Sequence, residues 1–363
     1  MDKRDVLIWL NSINGITNRT IDKLEKYFID LCSIWYVSKE DILNIKGINE
    51  KTKLEILKCR NDVYYEELNE KIKKSGATVI TILDEQYPAS LFNIYDSPRV
   101  LYIMGQLIPR DNMSIAMVGS RKATAYGKWA AEKFATELGR MGITLVSGLA
   151  RGIDTQVHTS ALNANTRTIA VLGCGVDVVY PSSNRGLYNK ILNNGCIISE
   201  FPLGTRPFPQ NFPQRNRIIS GLSLGVVVIE ASDKSGSLIT AHHAIEQGKD
   251  VFALPGNINS VYSRGTNLLI KDGAKLLMSI EDIIEEIYEL KCKYNDLKKD
   301  AVDYSNLSEN ETKVLKCISE RPIHCDMISY ITGINISNIN SILTILEMKN
   351  LIKQLPGKVF TIR

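Results

Sequence analysis

The rhythm of apolar and polar positions changes three times along the chain. Up to about residue 70, apolar residues recur at helical spacing in short stretches. Two of these, INGITNRTIDKLEKYF and IKGINEKTKLEILK, look alike: each carries a glycine, Gly15 or Gly47, then Ile, then a polar residue and an amphipathic helix. Two readings stand for this repeat. As a tandem helix-hairpin-helix (or SAM-like) domain, its glycine turns would offer backbone N–H groups to a DNA phosphate. As a plain helical bundle, its turns would need glycine for geometry only.

From Ala77 the period shortens. ATVITIL and RVLYIMG read as strands joined by a proline-containing segment through Tyr87-Pro88 and Ser97-Pro98. Short apolar runs follow at 114–118, 143–146, 168–172, 196–199, 226–229 and 250–254, separated by helical stretches such as YGKWAAEKFATELGRMG and LITAHHAIEQG. Short buried strands alternating with helices predict an α/β, doubly wound parallel sheet covered on both faces. Around Lys291 the chain turns polar, KCKYNDLKKDAVDYSNLS, which predicts a linker. Beyond it, Ser308 and Glu311 have capping-box spacing. Three helices and a hairpin at Pro356-Gly357 then describe a winged helix. The expected domains are 1–70, 71–290, a linker over 291–306, and 307–363.

Composition alters this picture only slightly. The apolar fraction of 44% supports a sizeable core, and a net charge of +4 means that any polyanion site must be local. No run approaches the roughly 18 apolar residues of a membrane helix, and the first residues lack a cleavable signal pattern. Seven cysteines, odd in number and without a Cys-x-x-Cys pair, predict reduced thiols in a cytoplasm and no metal.

Several motif matches dissolve in context. Gly221-Leu222-Ser223-Leu224-Gly225 fits the nucleophile-elbow pattern, but here helix precedes it and strand follows, the reverse of the required order. Gly127-Lys128 lacks the rest of a P-loop, and Gly173-Cys174-Gly175 lacks the third glycine of a dinucleotide fingerprint. His242 and His243 are adjacent on a helix and do not share a face.

Three small-residue turns remain at the carboxyl ends of strands: Gly119-Ser120-Arg121, the stretch SGLARGID (Ser147 to Asp154), and Ser235-Gly236-Ser237. Ligands of open α/β sheets sit at that edge. Helix N-termini there offer N–H groups to an anion, and Arg121 and Arg151 can add bidentate contacts. The long proline-rich segment 200–221 places Phe208 and Phe212 among Arg206, Arg215 and Arg217, an arrangement suited to stacked bases and phosphates of a single strand. The competing reading makes the aromatics core residues and pairs Arg217 with Asp154 or Glu230.

These stretches, with TIAVLGCGVDVVYPSSNRGLY, SEFPLGTRPFPQNFPQRNRIISGLS and EASDKSGSLITAHHAIEQGKDVFALPG, resemble the DNA-processing protein A family, also called Smf, over about residues 77–290. The flanking helical domain and winged helix fit its common layout. The resemblance implies an extended Rossmann-like fold without catalysis or cofactor. It also implies binding and protection of single-stranded DNA, and loading of the RecA recombinase during natural transformation. Homodimerisation, and a single-strand-binding protein as a further partner, complete the expectation. Carried over by motif, DNA contacts fall on Gly119, Ser120 and Arg121, on Ser147, Gly148, Arg151 and Gly152, and on Phe212, the stacking aromatic before Pro-x-Arg-Asn; Arg215, Asn216 and Arg217, which follow it, are further candidate contacts. Relatives often carry a lysine three residues before that aromatic; here Pro209 stands there and Arg206 is the nearest base. The implied dimer contact falls on Leu268, Leu269, Ile270, Leu276 and Leu277, with Lys275–Met278 as an edge strand that a partner would cover. Two other functions are compatible with such a fold. A LOG-type nucleotide phosphoribohydrolase would need a glutamate where this chain has Ala241 to Ala244, with Glu230 the nearest acid. A duplex-binding regulator would read DNA through ISNINSILTILEMKN, whose one base is Lys349.

Overall fold

The expected N-terminal helices begin where the chain supplies an oxygen to cap them. In the computed structural model, which describes residues 1–300, 307–320, 322–349 and 351–362, Asp2 caps α1 (Lys3–Ser12) and Thr17 caps α2 (Asn18–Tyr27). Ser38 caps α3 (Lys39–Leu43), Asn49 caps α4 (Glu50–Cys59) and Asn61 caps α5 (Asp62–Ser75). Each oxygen takes an N–H that a helix start leaves unpaired. Gly15 and Gly47 hold left-handed turns at φ +87° and +79°, so the geometric need for glycine there is real. Trp9, Ile21, Leu24 and Ile34 form a core that continues onto Val100, Tyr102 and Ile197 of the sheet.

That sheet is built from β1 (Thr78–Thr81), β2 (Val100–Gly105), β3 (Ser114–Val118), β4 (Thr144–Ser147), β5 (Thr168–Val171), β6 (Gly195–Ser199), β7 (Gly225–Val228), β8 (Asp250–Ala253) and β9 (Lys275–Leu276). Among the described residues its order is β1-β2-β6-β5-β4-β3-β7-β8-β9. From β6 to β9 neighbouring strands run parallel, crossed over by α6 (Ala125–Arg140), α7 (Ile153–Asn163), α8 (Arg185–Asn193), α9 (Asn211–Leu222), α10 (Gly236–Glu246) and α11 (Arg264–Lys271). Every position of β3 to β7 is buried, as strands covered on both faces require. The sheet is not wholly parallel: β2 runs antiparallel to β1 and β6. Its link from β1 carries no crossover helix, and parallel pairing depends on one. The chain winds outward from β3 to β6, then returns to place β7 on the other side of β3. The crevice of such a fold therefore opens between the loops that follow β3 and β7.

The stretch expected to carry a dimer contact divides between core and surface. Leu269 is buried in one core cluster and Leu277 in another, and Ile270 packs partly against the first. Leu268, Leu276 and Met278 are exposed, and among the described residues β9 is an edge strand paired with β8 alone. Three consecutive apolar residues on a helix cannot share one face, which is why the patch narrows to these three side chains.

After α12 (Glu281–Glu286), the stretch expected as a linker is helical over α13 (Tyr288–Asp300); its remainder, 301–306, lies outside the described residues. The chain divides into two compact units, Met1–Leu290 and Lys291–Arg363. In the second, α14 (Glu309–Glu320) opens with the expected reciprocal pair: Ser308 N–H donates to Glu311 at 2.6 Å and Glu311 N–H to Ser308 Oγ at 3.3 Å. Then come β10 (Ile323–His324), α15 (Cys325–Thr332), α16 (Ile336–Met348), β11 (Ile352–Leu355) and β12 (Val359–Ile362) around Leu315, Ile328, Leu343 and Phe360.

One buried titratable group in α7 gives a test of the packing. His158 is buried, with Nδ1 2.7 Å from Thr168 Oγ1 and no hydrogen-bond partner for Nε2 among the described residues. Burial, with the charge of Arg215 adding, pushes its pKa down to about 3. Folding therefore holds the imidazole neutral. That stability is complete above the unfolded pKa of about 6.5 and is lost as pH falls toward 3. Between pH 7 and pH 5 the native chain should lose roughly 2 kcal/mol more unfolding free energy than His158→Gln, by urea titration at each pH. Equal losses would mean that the ring protonates freely in the folded protein.

Candidate functional site

The turn SGLARGID begins at the end of β4 and passes into α7 through Gly152, which has φ +80°. A Cβ on Gly152 would collide with the Ser120 carbonyl, and one on Gly148 would lie 2.5 Å from the Arg215 guanidinium. Three backbone donors of this turn, Gly148, Ala150 and Ile153, are already in use. Asp154 accepts from Gly148 N–H at 3.2 Å and Ala150 N–H at 3.3 Å, and Ser120 O accepts from Ile153 N–H at 3.1 Å. Ser147 is buried, its hydroxyl donating to Met117 O at 2.7 Å. The anion at this helix start is the chain's own Asp154. Ser147, Gly148 and Gly152 are thus framework rather than open ligand contacts, and Arg151 is left exposed beside them.

Beneath the turn lies Arg215 of α9. It is buried and donates to Gly148 O at 2.9 Å, to Val171 O, and through Nε to Asn216 Oδ1 at 3.2 Å. Burial lowers its pKa to about 10, with Asp154 holding it up, so it stays charged near neutrality. Burial likewise raises the Asp154 pKa, opposed by Arg215. Asn216 passes the connection on, donating to Gly236 O at 3.1 Å at the start of α10. Arg217 faces elsewhere: it is buried against Glu200 and lies 3.5 Å from Asp96, not against Asp154 or Glu230. Arg215 and Arg217 therefore hold the fold and do not reach solvent. Phe212, one helical turn before Arg215, lies on the same side of α9, its ring 6.0 Å from the Arg215 guanidinium.

The cleft above has a volume of about 700 Å³ and opens at the crevice between β3 and β7. Gly119, Ser120, Arg121 and Lys122 form one wall and Ser235, Gly236 and Ser237 the other. Ser235 caps α10, accepting from Ser237 N–H at 3.3 Å. On the floor, the half-buried Phe212 ring rests over Gly173 and meets the Arg121 guanidinium at 5.3 Å and the Tyr180 ring at 5.6 Å. Arg121 and Lys122 are exposed, and neither is in an ion pair among the described residues. Sequence reasoning missed Tyr180, Lys122 and the Glu200 partner of Arg217. Tyr180 stands in the quoted TIAVLGCGVDVVYPSSN run, and its aromatic character before a proline was the available signal. Arg206 and Phe208 are exposed but do not line the cleft, whereas Pro209 does.

Elsewhere, Ser223 of the false nucleophile elbow is buried and donates to Ile219 O at 3.0 Å. His324, Cys325 and Asp326 bring potential metal ligands within 4.8 Å of one another. The His324 Nδ1 there already accepts the Asp326 N–H as the cap of α15.

The family described as DNA recombination-mediator protein A matches residues 78–288, and a DprA winged helix domain matches residues 299–358. The chain is 33% identical to Protein Smf of Synechocystis, covering 97% of this chain and 96% of that one. It is 39% identical to the DNA processing protein DprA of Streptococcus pneumoniae, over 75% of this chain and 94% of that protein. The X-ray structure of DprA from S. pneumoniae superposes with a TM-score of 0.63 at 38% identity, covering 75% of this chain and 98% of that one. A Helicobacter pylori DNA processing protein A structure, described for its single-stranded DNA binding mode, superposes with a TM-score of 0.53 at 32% identity, over 59% and 98% of the two chains.

The division between buried and exposed arginines can be checked by stability alone. Arg217→Met leaves the buried Glu200 without its partner and should cost about 3–5 kcal/mol of unfolding free energy. Arg121→Ala, at an exposed position, should cost under about 0.5 kcal/mol. Similar losses in the two variants, by chemical denaturation, would contradict the assignment.

Proposed function

The chain belongs to the DNA recombination-mediator protein A family, and we propose that it binds single-stranded DNA in the Phe212 cleft without cleaving it. The observation that carries this reading is the Phe212 ring, half-buried on the cleft floor and flanked by Tyr180 and by an Arg121 that has no ion-pair partner among the described residues. A base finds an aromatic face, and its phosphates find Arg121, Lys122 and the start of α10. Such a site is tolerant of base identity, because every base has a π-face. Arg151 and Arg206 are exposed flanking bases along which a strand could enter or leave. The relative described for its single-stranded DNA binding mode supports the reading.

Protection of incoming DNA, loading of a RecA-type recombinase and a homodimer are further parts of the proposal, supported by family membership. Contact with a single-strand-binding protein and a cytoplasmic location belong to it too. No described helix is long and apolar enough to cross a membrane. The dimer would use Leu268, Leu276 and Met278 beside the edge strand β9. The alternative reading as a nucleotide-cleaving enzyme gains little from this geometry. Glu230 is buried, and its carboxylate accepts from Thr124 N–H at 3.0 Å and from the Thr124 hydroxyl, which caps α6. The duplex reading gains little from α16, since Lys349 pairs with Glu311 at 2.9 Å. Asn338 and Asn340 are exposed there, but so are Tyr330, Ile331 and Met348, which favour a protein partner for this domain.

Gel shifts over a salt series test the cleft. Arg121→Ala should weaken single-strand binding and lower the salt slope by roughly 0.7. Phe212→Ala should cost roughly 1–3 kcal/mol of binding, with a loss of stability below the roughly 3–5 kcal/mol of a core Phe truncation. Unchanged slopes and affinities in folded variants would place the strand elsewhere, and release of base from nucleoside monophosphates would revive the enzyme reading. For the dimer, Leu276→Lys should give a folded monomer by light scattering. An unchanged dimer would move the interface away from β9.

A further inference from the structure

The exposed side of α6 carries aromatic residues that neither the core nor the Phe212 cleft uses. Tyr126 is 46% exposed and Trp129 58%. Their rings are nearly parallel, at 26°, with centroids 6.0 Å apart. Lys133 Nζ lies 5.8 Å from the Trp129 ring. Positions 126, 129 and 133 follow the i, i+3, i+7 spacing of one helical stripe, and Thr136 and Arg140 extend it. The stripe itself carries no acid; Glu132 and Glu137 stand beside it. An indole on a helix surface, fixed against a tyrosine and accompanied by a cation, is a flat apolar platform with a positive rim.

The stripe is continuous with the cleft. Gly119 to Lys122, one wall of that cleft, lead directly through Thr124 into α6. Tyr126 and Thr124 border a second depression of about 630 Å³, whose other side is the 255–263 loop. That loop also contributes Val261 and Tyr262 to the Phe212 cleft, so the two depressions share a wall. The Tyr126 hydroxyl donates to Pro255 O at 3.2 Å, which ties the start of the stripe to the same loop. From Tyr126 to Lys133 the stripe runs about 10 Å along the helix axis, at 1.5 Å per residue.

We propose that a single strand leaving the Phe212 cleft continues over this stripe, with Trp129 as a second base-stacking platform and Lys133 beside it for a phosphate. The proposal rests on the reading of the cleft as a single-strand site and lengthens that site. The occupant is nucleic acid rather than a second protein surface because the stripe pairs aromatic faces with cations and adjoins the cleft. Those are the two requirements of sequence-tolerant single-strand binding.

The chain's own tryptophans supply the readout. Trp9 is buried and Trp35 half-buried in the N-terminal helical core, which leaves Trp129 as the exposed indole of the three. Full-length protein is titrated with oligothymidylates of increasing length, following tryptophan emission and affinity together. Strands long enough to leave the cleft should quench Trp129, and Trp129→Phe should abolish the quench while keeping the affinity. Trp129→Ala should weaken binding of long strands roughly 5- to 100-fold, leave the shortest binding strand unaffected, and keep the native melting temperature. Long strands that bind Trp129→Ala with native affinity, without quenching the native protein, would overturn the proposal. So would a change in solution mass caused by Trp129→Ala, which would make the stripe a protein interface. If no strand binds the native protein, the cleft reading fails, and this inference with it.

Discussion

Arg215 is 4% exposed, yet it carries its charge under the loops of the sheet edge. A buried guanidinium is tolerable only when its donors and its charge are met from close by. Here the carbonyls of Gly148 and Val171 accept its hydrogen bonds, and Asp154 supplies the opposite charge. Asp154 in turn accepts the backbone of the turn that carries Gly148 and Ala150. One ion thus joins the ends of β4 and β5, the start of α7 and the middle of α9. The consequences run outward. Gly148 must lack a side chain because the guanidinium occupies that space, and Asn216, beside Arg215, hands the connection to α10. Arg215 also borders the cleft, so this largely buried charge ties the loops of the sheet edge to the cleft floor.

Burying these charges sorts the arginines by task. Arg215 and Arg217 are committed to carboxylates and carbonyls inside, while Arg121, Arg151 and Lys122 are exposed. A net charge of +4 over 363 residues would hold a polyanion poorly if spread evenly. Concentrating free cations at the rim of an aromatic-floored cleft makes the local field strong while the whole remains near neutrality.

Much of this was legible in the chain. The strands from 114 to 254 are short, largely apolar runs, and burial on both faces suits such runs. The helix cap at Ser308 could be read from its spacing to Glu311. What escaped reading depends on distant partners. The spacing of Arg215 and Arg217 from Phe212 says nothing about direction, and whether a guanidinium faces solvent is decided by Glu200 and Asp154, distant in sequence. The SGLARGID turn reads from sequence as a place for a ligand anion, and the structure sets the chain's own Asp154 against its backbone donors. The antiparallel edge went unseen because β1 and β2 have the same apolar composition as the parallel strands; only the missing crossover helix separates them. Leu269 and Leu277 show the limit of counting apolar runs, since alternate residues of one run turn to opposite sides.

The buried acids of this sheet edge, Asp154, Glu230 and Glu200, are each tied to a structural partner. A hydrolytic site needs a carboxylate free to take or give a proton near the bond being broken. Asp154 is buried with its oxygen shared between two backbone N–H groups. Glu230 is turned under the start of α6, where it holds Thr124 and occupies the space that a Cβ on Gly127 would need. Glu200 is locked to Arg217 and Asn18. Each carboxylate neutralises a helix start or a buried cation, and each would lose that partner if it moved toward a ligand. The groups lining the cleft are Arg121, Lys122 and the largely buried Arg215, the hydroxyls of Ser120, Ser235 and Ser237, the Phe212 ring, and Asp154, whose carboxylate is tied to two backbone N–H groups. A surface of cations, hydroxyls and an aromatic ring suits phosphates and stacked bases.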